Sequence, residues 1–100
     1  MAREPYKTPL GAAKAVHRRM AGTDTYSGIA ASPAERLFDH HRVDPERGHF
    51  VAVKCANDRV AREAEKILHA NGYRGGPGGG SRKTRWVYAY EVTPNTCEKC

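Results

Sequence analysis

No stretch of the chain approaches the ~18 consecutive apolar residues that a membrane-spanning helix requires, so the sequence predicts no membrane partner. The opening Met1-Ala2-Arg3-Glu4-Pro5 lacks the apolar core of a secretory signal. Cysteine is scarce and odd in number, three in 100 residues, which argues against a disulfide framework. These absences together predict a cytoplasmic protein. Internal repeats are missing as well. So are a nucleophile elbow, a His-Glu-x-x-His zinc signature and a convincing carboxylate pair, and the chain therefore reads as non-enzymatic. The most informative absence is local: from Lys66 to Tyr90 there is no Asp or Glu at all.

What fills that stretch is positive charge and glycine. Residues 72–90 hold six of the ten glycines and four cations, Arg74, Arg82, Lys83 and Arg85. Over the whole chain 17 Lys and Arg oppose 11 Asp and Glu, a net charge of +6. A dispersed basic excess serves solubility, whereas a clustered one marks nucleic acid, anionic lipid or an acidic protein face. One hundred residues allow one small domain with a modest core.

The chain divides into a flexible tail over 1–7, a single α+β domain over 8–94 with a glycine-rich basic loop at 72–84, and a C-terminal tail over 95–100. Thr8 offers an N-cap with Pro9 at the first helical position and Gly22 as a stop, which predicts a helix with Leu10, Ala13, Val16 and Met20 on its apolar face. Residues 22–31 read as a loop. Ser32 and Glu35 have capping-box spacing and Pro33 suits a first turn, predicting a second helix that buries Ala34, Leu37, Phe38 and His41. About ten residues separate the two helices, too many for a helix-turn-helix. From Gly48 the pattern changes to a short β-branched strand, "HFVAVKC". A strongly periodic helix follows, capped by Asn57 or Asp58, carrying Val60, Ala64, Ile67 and Leu68, and ending at Gly72. "TRWVYAYEV" then alternates as a strand. The expected fold is a small two-layer α+β domain: two N-terminal helices, then a strand-helix-strand unit with a long glycine-rich loop.

The glycine loop is not a phosphate-binding P-loop. That pattern places Gly-Lys-Ser/Thr between a strand and a helix, but Lys83-Thr84 follows Arg82 and the loop runs from helix to strand. It reads either as a plain connector or as a basic flap that orders on a polyanion. In the strand beyond it, Trp86, Tyr88 and Tyr90 share one face and Val87 and Ala89 the other. Small apolar residues suit the helix-facing side, which turns the rings outward as a stacking platform for unpaired bases; the competing expectation is that the rings are core. Cys97 and Cys100 form half of a tetrahedral zinc site at most, needing His40, His41, His49, Cys55 or a second subunit to complete it. Otherwise no cofactor is expected.

Arg47–Val53, "RGHFVAV", resembles the RNP1 stretch of RNA-recognition-motif domains, and "AREAEKILHANGY" is similar to their second helix. The likeness spans about residues 47–92. His49 and Val53 stand where that family has aromatics, and residues 1–47 show no counterpart of its opening strand, so what is shared is a strand-helix-strand layout. The sequence thus predicts a small nucleic-acid- or nucleoprotein-binding protein, with Arg74, Arg82, Lys83 and Arg85 on phosphate and Trp86, Tyr88 and Tyr90 on bases. The alternative is a small regulatory inhibitor, for example phage-encoded, that docks on a host protein or a nucleic-acid-handling complex.

Overall fold

Thr8 caps the first helix as its sequence implies: its hydroxyl accepts from the Gly11 amide at 3.1 Å, and α1 runs Pro9–Met20. The computed structural model describes residues 4–75 and 83–98; most of the glycine-rich loop, including Arg82, lies outside them. Ala12, Ala13, Val16 and Met20 form the buried stripe of α1, whereas Leu10 is 53% exposed. The second long helix, α2, spans Asp58–Ala70. Asn57 caps it by accepting from the Val60 amide at 2.9 Å, and it ends at Gly72, whose φ of +95° suits a residue without Cβ.

Residues 22–31, expected to be a loop, contain a strand instead. β1 is Thr25–Ala30, β2 is Phe50–Lys54 and β3 is Trp86–Glu91. They form one antiparallel sheet in the order β1-β3-β2, with β3 central. The reason is structural need as much as local preference: β2 and β3 alone would make a marginal two-stranded ribbon. The RNA-recognition-motif sheet has four strands; three are present here among the described residues.

The second predicted helix is also altered. Glu35–His40 is π-helical, closed by the His41 amide on the Arg36 carbonyl at 2.8 Å, and the expected Ser32–Glu35 capping box gives no side-chain cap. Arg42 then takes a left-handed φ of 59°, which lets the Val43 amide reach the Leu37 carbonyl at 2.9 Å. The wider turn drives Leu37, His41 and Val43 all inward.

This segment packs on the opposite face of the sheet from α1 and α2. One core joins the two helices to Ile29, Val87 and Ala89; the other joins Leu37 and Val43 to Ala30, Tyr88 and Tyr90. The sheet is therefore covered on both faces rather than on one. Both segments read as tails are anchored where they are described. Tyr6 donates its amide to the Lys54 carbonyl and accepts from Ala56, while the Cys97 amide donates to the His41 carbonyl.

Candidate functional site

Tyr88 and Tyr90 do not form a stacking platform. They are 1% and 0% exposed, sealed beneath the π-helical segment. Register explains how: Tyr88 lies between Gly28 and Ala52, and Tyr90 between Tyr26 and Phe50. Gly28 has no side chain to obstruct the ring, for a Cβ there would come within 2.5 Å of the Tyr88 hydroxyl. His41 lies within hydrogen-bond distance of both tyrosine hydroxyls. Its Nδ1 lies 2.7 Å from the Cys97 carbonyl, which can only accept, so Nδ1 carries the proton. Nε2 is then the acceptor for the Tyr88 hydroxyl at 2.9 Å, and the Tyr90 hydroxyl stands 3.1 Å from Nδ1. Burial pushes His41 below its ordinary value of 6.5 and pushes Tyr88 up to about 12. Tyr90 is raised too, again chiefly by burial. This is a polar core built to hold neutral groups.

Of the expected phosphate-binding cations, Arg82 lies outside the described residues and Arg74 is already paired with carboxylates. Arg74 is clamped by Asp24, Nε to Oδ1 at 2.9 Å and Nη2 to Oδ2 at 2.6 Å, and Nη1 lies 3.4 Å from Glu98. Its backbone bridges to β1, donating to the Thr25 carbonyl and accepting from Ser27. Arg74 thus closes a sheet edge. Lys83 and Arg85 are exposed and Trp86 is half-buried. Of the proposed metal pair, Cys97 is disulfide-bonded, which removes its thiolate as a ligand, and Cys100 lies outside the described residues. Among the described residues no group of three metal-ligating side chains gathers.

Trp86 does meet cations, but different ones. Its ring, with Tyr6, Arg18, Arg19, Val51, Ala52, Val53 and Lys54, lines a cleft of about 610 Å³ along the outer edge of β2. Arg18 and Arg19 come from the last turn of α1, where positive charge also complements the helix dipole. Lys54 ends β2 beside Trp86 in the register. All three cations are exposed, and among the described residues none of them has a carboxylate partner. Glu4 is the one acid in the lining. Lys54 was visible as a cation closing an apolar strand. Its meeting with Arg18 and Arg19 was not visible, because it depends on how α1 crosses the sheet.

Other concavities are less one-sided in charge. The cleft beside Ile29 along α2 mixes Arg59, Arg62 and Lys66 with Asp58, Glu63 and Glu65. A smaller one of about 190 Å³ between α1 and α2 is mainly apolar, with Leu10, Ala13, Ile67 and Tyr73. The cleft at Ser32 holds half-buried His40 with exposed Glu35 at 3.8 Å. Compared with family models, curated proteins and solved structures, the chain matches none.

Proposed function

We propose that the protein is a non-enzymatic regulator that docks on an acidic partner protein through the β2-edge cleft. The observation carrying this reading is that three exposed cations, Arg18, Arg19 and Lys54, flank a floor of Val51, Ala52, Val53 and Tyr6. An apolar floor with a basic rim suits a polypeptide whose apolar side chains seat while its carboxylates meet the rim. Binding to free nucleic acid has less to draw on than the sequence offered. Two of its three rings are interior and Arg74 is held by carboxylates.

Capture from a lysate of the native cell, with and without nuclease, tests the docking reading. A protein retained after nuclease treatment and lost with the Arg18→Glu, Arg19→Glu, Lys54→Glu variant supports it. Loss of all bound material on nuclease treatment, or equal capture by the variant, contradicts it.

One observation favours a second reading, a single-stranded nucleic acid in the same cleft: half-buried Trp86 lines it together with the three cations, and an indole ring can stack a base. Three phosphate contacts then predict a log–log salt slope of about −2.

A further inference from the structure

The two edges of the sheet are treated differently. Outward-facing backbone groups on β1 are largely taken: the Thr25 carbonyl and Ser27 amide by Arg74, and the Ser27 carbonyl by His69 Nε2 at 3.1 Å. On β2, Cys55 donates to the Arg85 carbonyl and His49 accepts from Glu91. Antiparallel alternation then directs residues 51 and 53 toward β3 and residues 50, 52 and 54 outward. Tyr6 takes the Lys54 carbonyl, and among the described residues the bridge goes no further, since Glu4 makes no backbone bond to β2. Among the described residues, the Ala52 amide, the Ala52 carbonyl and the Lys54 amide face the cleft with no backbone partner. An uncovered edge is a template for strand addition, and proteins commonly blunt such edges.

Resting on the docking reading above, we propose that the occupant is an extended, acidic segment of the partner that adds to the sheet as a strand alongside β2. Its backbone bonds Ala52 and Lys54. Side chains on one of its faces meet Val51 and Val53, those on the other meet Ala52 and Trp86, and its carboxylates meet Arg18, Arg19 and Lys54. The acidic character follows from charge complementarity: the lining carries three cations against Glu4. The strand geometry follows from the three open backbone groups, which a helix or a folded acidic surface would leave unsatisfied.

The test uses the full chain and a blocked eight-residue peptide of alternating Val and Glu, compared with its fully N-methylated counterpart and with poly(dT). Strand addition predicts that the peptide slows hydrogen exchange at the Ala52 and Lys54 amides, and that N-methylation weakens binding about tenfold or more. Ala52→Pro, which removes one outward N–H from an edge strand that tolerates proline, should fold and lose the peptide. Equal binding of both peptides with neither amide protected overturns strand addition and leaves acidic docking standing. Binding of poly(dT) with no binding of either peptide overturns both.

Discussion

Replacing Tyr88 by Phe removes a single oxygen, yet it should destabilise the protein by on the order of 2 kcal/mol. His41 is 1% exposed and its Nδ1 proton is committed to the Cys97 carbonyl, so Nε2 depends on the Tyr88 hydroxyl for its hydrogen bond. Without that hydroxyl a buried acceptor is left unpaired, and such a group costs its desolvation, about 1–3 kcal/mol. For a domain of this size 2 kcal/mol lowers Tm by about 10 °C. Urea unfolding, with thermal melts alongside, reads the effect. The same variant should bind poly-L-glutamate or poly(dT) as the native protein does, because Tyr88 lies under the π-helical segment and away from the cleft. A Tyr88→Phe protein within about 0.5 kcal/mol of native stability, or one that keeps its stability but loses polyanion binding, would refute the buried cluster and restore the ring as a surface group.

Stability should fall at both ends of the pH scale. The folded value of His41 lies below 6.5, so the unfolded chain takes the proton more readily; this contribution is present above about pH 6.5 and is lost as pH falls through the folded value. Tyr88 has the opposite sign: its shift from 10 to about 12 contributes about 3 kcal/mol below pH 10, lost as pH rises toward 12, and urea midpoints across that range check it. Gly28→Ala should cost about 1–3 kcal/mol in the same assay, since its Cβ would meet the hydrogen-bonded end of the Tyr88 ring. Cys55 is fully buried and its thiol is pushed up to about 11, so alkylation at neutral pH should proceed only on unfolding; rapid modification of the native protein would contradict its placement.

What the sequence revealed followed the strength of its local signals. The long helix after Asn57 has a cap, a continuous apolar stripe and a terminal glycine, and each agrees with the others. The alternation of β3 was equally plain, including the assignment of Val87 and Ala89 to the helix side. β1 was hidden because Ser27 and Gly28 sit at its centre, two residues with little strand preference of their own. Gly28 is there for the Tyr88 ring, a tertiary reason that no local pattern carries. Missing that strand removed the scaffold on which the π-helical segment lies, and with it the cover over Tyr88 and Tyr90. Of the candidate site, Trp86 was legible. Arg18, Arg19 and Lys54 come from two elements far apart in the chain, and only packing brings them together.

Trp86 is the single tryptophan and it lines the cleft, so its fluorescence reports directly on what enters there. Titrating poly-L-glutamate and poly(dT) into the native protein, and into a variant with Arg18, Arg19 and Lys54 replaced by Ala, therefore addresses the docking claim at its source. A salt-sensitive change with poly-L-glutamate, stronger than with poly(dT) and abolished in the variant, is the predicted result. A response to poly(dT) alone, or one that survives removal of the three cations, would contradict it.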